Sequence, residues 1–137
     1  MNKIEHLGIA VLKAENSIQI FNDLLGSAPY RTEEVESEGV KTVFYQLGES
    51  KIELLEATNP TSPIAKFIEK RGEGIHHIAF SVTNIYTEIE RLKQLGYTPL
   101  TDKPKAGADN KLIIFMHPKQ TNGVLIELCQ DNLNEED

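Results

Sequence analysis

The chain has 137 residues, of which 14 are Lys or Arg and 21 are Asp or Glu, so its formal net charge is −7. This length fits one domain, or two small modules that share a core, and the charge argues against a general nucleic-acid or anionic-membrane partner. The single cysteine, Cys129, excludes an internal disulfide. The sequence has no signal-peptide pattern and no long apolar run, so we expect a cytoplasmic protein.

The first half of the chain predicts a strand, a helix and three further strands. Apolar and small residues alternate over 4–11, with His6 on the face opposite the aliphatic side chains. The helix is predicted to start after an N-cap at Asn16, with Gln19 as its capping-box partner, and to end at Leu25 before a C-capping glycine. The further strands are predicted at 28–35, 40–47 and 51–56.

A linker with a short helix follows. Ser62 and Pro63 are typical of an N-cap and a first-turn proline, and the helix is predicted to end near Gly72. Its apolar stripe is expected to pack on a sheet or on a neighbouring subunit; it consists of Ile64, Phe67 and Ile68.

The second half predicts the same order of elements. A strand starts at Ile75, and a helix capped by Asn84 ends before Gly96. Three strands are then predicted at 97–101, 111–117 and 123–129, with a loop over 102–110. The tail over 131–137 is acidic and poor in apolar residues, so we expect it to be disordered.

The two halves are an internal repeat, which is stronger evidence for a fold than local propensity. His77 follows His6 by 71 residues, and Ile-Glu-Leu at 126–128 repeats the same tripeptide at 52–54 after 74 residues. We therefore predict a single α+β domain over 1–137, with two βαβββ modules in tandem that form a curved, open-barrel-like sheet around a metal cleft. Module one covers about 1–58, the linker helix about 59–72, and module two about 73–130.

Four repeated side chains, His6, Glu53, His77 and Glu127, come from the first and last strands of the two modules. If an approximate two-fold axis relates the modules, they converge in the cleft as two equivalent His/Glu pairs. Two imidazoles and two carboxylates suit Co²⁺, Mn²⁺, Ni²⁺, Fe²⁺ or Zn²⁺ and leave room for two waters or a bidentate substrate. The alternative is that the glutamates are ordinary solvent-facing strand residues. Glu is disfavoured in strands, and its recurrence with the same His favours the metal site.

The other two histidines are left out of the predicted metal shell. His76 precedes His77 on the strand, so it points to the opposite, apolar face and is expected to be a hydrogen-bonded structural residue. His117 precedes Pro118 and could line the cleft, but nothing in the first module mirrors it.

On these motifs the chain resembles the vicinal oxygen chelate superfamily, and more narrowly the methylmalonyl-CoA epimerase family. The ligand quartet is not specific, since glyoxalase I uses a similar one. The Gly-Glu-Gly-Ile-His-His run after the linker helix and the Met-His-Pro-Lys to Gly-Val-Leu-Ile-Glu-Leu ending are more specific. The resemblance covers nearly all of the chain except the tail, and the segments that carry it are 4–11, 51–56, 62–67, 72–80, 115–119 and 123–128.

The resemblance implies a homodimeric, metal-dependent enzyme that interconverts (R)- and (S)-methylmalonyl-CoA through a metal-stabilised enolate. One divalent ion is implied, with Co²⁺ as the first choice and Mn²⁺, Ni²⁺ or Zn²⁺ as alternatives. Inversion requires a base on each face of the α-carbon, and we expect Glu53 and Glu127 to serve as catalytic bases as well as ligands. The nearest cations for CoA phosphates are Lys103, Lys105, Lys111 and Lys119.

Two departures from the family pattern bear on substrate and mechanism. The loop over 107–111 reads Gly-Ala-Asp-Asn-Lys, where the family commonly has Gly-Ala-His-Gly-Lys, so acyl or CoA recognition could differ. Thr42 stands where some members place a Glu proposed as a base, and Glu36 and Glu38 are the nearest other carboxylates.

Three other functions share this fold. One is a glyoxalase-I-like isomerase of a glutathione hemithioacetal, which would use the same four ligands. Another is a metal-free small-molecule-binding protein, against which the His/Glu quartet speaks. The third is a ring-cleaving dioxygenase, which would use two histidines and one carboxylate, so Glu53 argues against it.

Overall fold

The computed structural model describes residues 1–132. They divide into two compact units, one over 6–76 and the other made of 1–5 with the described residues from His77 onward. The prediction of an α+β protein built from two βαβββ modules is confirmed. In the described part of the chain, no helix has the length and apolarity needed to cross a membrane.

The unit over 6–76 contains a four-stranded sheet. Its elements are β1 (Lys3–Ala10), of which residues 6–10 belong to this unit, α1 (Ala14–Leu25), β2 (Arg31–Val35), β3 (Val40–Leu47), β4 (Ser50–Ala57) and α2 (Pro63–Arg71). The strand order is β2-β3-β4-β1, with β1 parallel to β4 and the other pairs antiparallel. The face under α1 is apolar, and its buried core consists of Val11, Ala14, Val43, Tyr45 and Leu54.

The other unit repeats this sheet. Its elements are β5 (Gly74–Ser81), α3 (Ile85–Gln94), β6 (Lys105–Gly107), β7 (Lys111–Phe115) and β8 (Ile126–Asp131). The strand order is β5-β8-β7-β6, with β5 parallel to β8. The core under α3 consists of Val82, Ile85, Ile89, Ile114, Met116 and Leu128.

Helix α2 begins as predicted, because the Ser62 hydroxyl accepts a hydrogen bond from the Ala65 N–H at 3.1 Å. Its stripe is used within its own unit, where it packs on the face of β1 and β4 that α1 leaves uncovered. The contacting residues are Ala10, Leu55, Ile64, Phe67 and Ile68. The stripe thus packs on the sheet, one of the two roles predicted for it, while Phe67 and Ile68 remain half-buried.

The predicted strand over 97–101 is wrong. Only an isolated bridge, between Pro99 and Met116, forms there. Its two backbone hydrogen bonds run from the Leu100 N–H to the Phe115 carbonyl at 2.8 Å and from the His117 N–H to the Thr98 carbonyl at 3.1 Å. The outer strand of this unit is β6, which lies inside the predicted loop over 102–110.

Two boundaries near the end of the chain also differ from the prediction. β8 starts at Ile126 rather than Gly123, because Gly123 has a φ of 80° and belongs to the preceding turn. The same strand extends through Asp131, which the prediction gave to the disordered tail, and residues 133–137 lie outside the described residues.

The predicted N-cap at Asn16 is also wrong, because α1 begins at Ala14. The Ala14 N–H instead donates to the Glu56 side chain on β4, at 2.7 Å. In the other unit, the Ile85 N–H donates to the Gln130 side chain on β8, at 2.6 Å. In each unit, the side chain that caps the helix thus stands on the strand of the repeated glutamate, three residues after that glutamate. Asn84 caps α3 as well, as predicted, by accepting from the Thr87 N–H at 3.1 Å.

We expect Glu56→Ala and Gln130→Ala each to lower the free energy of unfolding by about 1 kcal/mol, the usual loss when a helix cap is removed. The melting temperature should fall by a few degrees in thermal unfolding followed by circular dichroism. Glu49→Ala, which removes an exposed glutamate from the turn before β4, is the matched control. Equal melting temperatures for Glu56→Ala and Glu49→Ala would contradict a capping role.

Candidate functional site

In the unit over 6–76, a buried His/Glu pair lies on the face of the sheet that α1 does not cover. Glu53 on β4 is opposite Gly8 on β1, and His6 is two residues before Gly8, so the two side chains share a face. His6 Nδ1 lies 3.2 Å from Glu53 Oε2. Both residues are 5% exposed. The repeat therefore brings its first His and its first Glu together.

An equivalent pair forms in the other unit. Glu127 on β8 is opposite Ala79 on β5, and His77 is two residues before Ala79. His77 Nε2 lies 3.1 Å from Glu127 Oε1, and the two residues are 5% and 4% exposed. The two parallel strand pairings thus produce the same arrangement twice.

The geometry of each pair fits two ligands of one divalent ion. With metal–ligand bonds of about 2.1 Å, adjacent ligands at right angles are about 3 Å apart, close to the two separations. Burying a carboxylate is costly unless it is paired or coordinated, so an apolar residue would be cheaper on structural grounds alone. All four residues, His6, Glu53, His77 and Glu127, belong to buried groups whose atoms could hold a metal ion.

A phenylalanine stands beside the glutamate in each unit. Phe44 on β3 is opposite Glu53, and Phe115 on β7 is opposite Glu127. The Phe115 ring meets the His77 ring edge-on, with centroids 5.6 Å apart. Sequence reasoning missed both rings, although Val-Phe-Tyr at 43–45 and Ile-Phe-Met at 114–116 occupy matching places in the repeat. An apolar wall next to each carboxylate lowers the local polarity and strengthens electrostatic interactions with it.

The model of the Glyoxalase/Bleomycin resistance protein/Dioxygenase superfamily matches residues 5–115, which is most of the chain. The chain belongs to this superfamily. It also falls within the methylmalonyl-CoA epimerase family, because an ethylmalonyl-CoA/methylmalonyl-CoA epimerase of Cereibacter sphaeroides is 38% identical over 132 residues, covering 95% of this chain and 98% of the relative. The resemblance seen in the sequence is thereby confirmed, as is the isomerase class of the enzymes it pointed to.

Two solved structures are similar to this chain over most of its length. A protein of Bacillus halodurans described only as hypothetical is 44% identical, with a TM-score of 0.92, covering 95% of this chain and 94% of that one. A methylmalonyl-CoA epimerase described as bound to methylmalonyl-CoA and NH4⁺ is 31% identical, with a TM-score of 0.89, covering 96% of this chain and 95% of that one.

The two histidines left out of the ligand set, His76 and His117, contact an aromatic ring and a backbone N–H, respectively. His76 is half-buried and meets the Phe67 ring edge-on at 5.0 Å. His117 Nδ1 accepts from the Lys119 N–H at 3.4 Å. Its ring borders a pocket of about 490 Å³ that also touches Leu92 and Met116 from the core under α3. His117 therefore borders a pocket next to the core under α3.

The cations predicted to meet CoA phosphates differ in their surroundings. Lys111 is half-buried and forms an ion pair with Asp131 on the neighbouring strand. The remaining three lysines, Lys103, Lys105 and Lys119, are exposed.

The position of the alternative base and the two nearest carboxylates differ in burial. Thr42 is buried at 1% exposure, opposite Leu55, on the same face of the sheet as Glu53. Glu36 and Glu38 lie in a short 3₁₀ turn before β3, with Glu36 exposed and Glu38 half-buried. A buried hydroxyl thus occupies the sheet position at which some relatives were expected to have a carboxylate.

Proposed function

We propose that this protein is a methylmalonyl-CoA epimerase that interconverts the (R)- and (S)-thioesters by moving the α-proton. The supporting observation is that a chain 31–38% identical to proteins of that name carries a buried His/Glu pair at the same place in both of its modules. An α-proton transfer with inversion requires one acid–base group on each face of the carbon. A duplicated carboxylate meets that requirement.

We further propose that one divalent ion, with Co²⁺ as the first choice, is held by His6, Glu53, His77 and Glu127. Support comes from the donor chemistry, since imidazole and carboxylate suit Co²⁺, Mn²⁺, Ni²⁺ and Zn²⁺. When bound, such an ion supplies Lewis-acid stabilisation of the negative charge that an enolate carries.

In the proposed reaction, the carboxylate of Glu53 or Glu127 removes the α-proton, and the C–H electron pair moves into the enolate. The other glutamate, in its protonated form, then returns a proton to the opposite face of the carbon. The proton balance is restored when the two glutamates exchange protons with solvent. Phe44 and Phe115 flank the glutamates and reduce their contact with water.

Two competing functions are distinguished by their substrate and by their need for a metal ion. A glyoxalase-I-like isomerase would use the same four ligands, so only its substrate distinguishes it. A metal-free binding protein would gain nothing from two buried His/Glu pairs, whose burial is costly. The pairs therefore favour a metal enzyme over a binding protein, and the relatives favour the epimerase over the glyoxalase.

The decisive experiment supplies both substrates in parallel to the metal-loaded protein. We expect deuterium to enter the α-position of methylmalonyl-CoA in heavy water, with loss of optical purity, and no turnover of methylglyoxal with glutathione. Turnover of the hemithioacetal without exchange at methylmalonyl-CoA would refute this proposal and favour a glyoxalase-I-like isomerase. Metal analysis of the purified protein separates either enzyme from a metal-free binding protein.

We also propose that the protein acts in the cytoplasm as a homodimer and that exposed lysines of the second unit meet the CoA phosphates. The α2 stripe packs in part within its own unit, where Phe67 and Ile68 stay only half-buried. Light scattering at high concentration should give twice the mass of the 15.4 kDa chain. A monomer would refute the dimer without affecting the proposed reaction.

A further inference from the structure

Arg31 lies in the same row of side chains as Glu53. The registers of β2, β3, β4 and β1 align Arg31 with Phe44, Phe44 with Glu53, and Glu53 with Gly8. Residues directly opposite one another in a sheet share a face. Adjacent strands are about 4.8 Å apart, which puts the Arg31 Cα about 10 Å from that of Glu53.

Contacts in the row direct the Arg31 guanidinium along this face. It lies over the buried Phe44 ring, 5.8 Å from the centroid, and the Tyr30 ring packs against the same phenylalanine at 5.8 Å. Arg31 Nη2 also contacts Glu33 Oε1 at 2.7 Å, while its side chain is 47% exposed. A guanidinium held by a ring and a carboxylate is preorganised, so less side-chain entropy is lost when it binds an anion.

The matching row in the other unit has no cation at this position. The bridge between Pro99 and Met116 puts Leu100 opposite Phe115, which is opposite Glu127. Leu100 is 48% exposed. Two strands away from the repeated glutamate, one unit therefore has a cation and the other has an aliphatic side chain at the equivalent register position.

We propose that Arg31 binds the free carboxylate of the substrate and so selects acyl thioesters that carry an α-carboxylate over those that lack one. The proposal takes the substrate class from the proposed function. The guanidinium fork presents five N–H donors, and a carboxylate offers about four lone-pair sites, so one carboxylate can meet both Arg31 and a metal ion. In this chain of net charge −7, one placed arginine offsets the local repulsion of an anionic group.

The test compares two ligands on the metal-loaded protein. Calorimetry measures the dissociation constants of methylmalonyl-CoA and of propionyl-CoA, which differ by the carboxylate. A hydrogen-bonded charge contact contributes about 1.5–3 kcal/mol, so Arg31→Gln should raise the dissociation constant of methylmalonyl-CoA about 10- to 100-fold. Propionyl-CoA binding should change less than about two-fold, within the scatter of a remote surface substitution. Arg31→Lys, which keeps the charge without the fork, should fall between wild type and Arg31→Gln.

The matched control is Arg91→Gln. Arg91 is 52% exposed and paired with Glu88 at 2.5 Å, and this hydrogen bond holds the pKa of the Glu88 carboxyl below its usual range. It lies on α3 and should leave both dissociation constants unchanged. Metal content and melting temperature of each variant verify that it is folded and loaded.

Each other outcome has a definite meaning. Equal weakening of both thioesters by Arg31→Gln would assign the arginine to the CoA portion and overturn the proposal, as would no change in either. If wild type prefers methylmalonyl-CoA, Arg31→Gln loses that preference and wild type does not epimerise the substrate, the proposed function is refuted. The carboxylate-binding role of Arg31 is then retained. Wild type that binds neither thioester would sink both.

Discussion

Replacing His77 with Ala is expected to remove most of the bound divalent ion and nearly all epimerase activity, and His6→Ala should do the same. Each imidazole is one of two nitrogen donors in the proposed set. Its loss leaves one imidazole and two carboxylates, a three-ligand set that binds borderline metals such as Co²⁺ and Zn²⁺ less tightly. The measurement is the metal-to-protein ratio after dialysis, together with isotope exchange at methylmalonyl-CoA. Addition of excess Co²⁺ should restore part of the activity if the fold is intact.

His76→Asn is the matched control for this loss. It also changes a strand histidine, one residue earlier, but His76 points to the opposite face and contacts Phe67. We expect it to keep the ion while losing some stability. Stoichiometric metal in the His77→Ala protein would refute the proposed ligand set. Loss of metal in His76→Asn alone would mean that the neighbouring histidine is the ligand.

The repeat explains why so much of the fold could be predicted. Two-residue periodicity fixed which face His6 and His77 occupy, and the repeated Ile-Glu-Leu then selected Glu53 and Glu127 as partners on parallel neighbours. Neither inference needed a tertiary contact to be known in advance. Each depended on a pattern that the chain shows twice, which makes a chance match less probable than at a single site.

What could not be predicted depends on contacts between distant segments. The cap of α1 comes from Glu56, 42 residues away from Ala14, so the local signal at Asn16 misled the prediction. The outer strand of the second unit was misplaced because apolar residues near Pro99 are typical of a strand, while the pairing there stops at a single bridge to Met116. Arg31 was not noticed because its relation to Glu53 exists only through the register of three strands.

The second large effect concerns the glutamates as bases. Glu53→Gln and Glu127→Gln remove one carboxylate each, and Gln keeps the size and one oxygen donor, so part of the metal affinity can survive. A metal-bound carboxylate is a weak base, because the cation favours its ionised form. To act, one glutamate has to use its second oxygen or leave the ion when substrate arrives. Loss of one general base typically lowers the rate by about 10²- to 10⁴-fold.

The duplicated geometry makes this expectation specific to one stereoisomer. If each glutamate serves one face of the α-carbon, each Gln variant, once metal-loaded, should lose proton removal from one isomer far more than from the other, and the two variants should show opposite preferences. Separate incubation of (R)- and (S)-methylmalonyl-CoA in heavy water measures this directly. Wild-type exchange of both isomers by both variants would reduce Glu53 and Glu127 to ligands, and the search for the bases would move to Glu36 and Glu38. Equal slowing of both isomers would instead indicate weaker substrate binding or a damaged metal site, because an absent base affects only the face it serves.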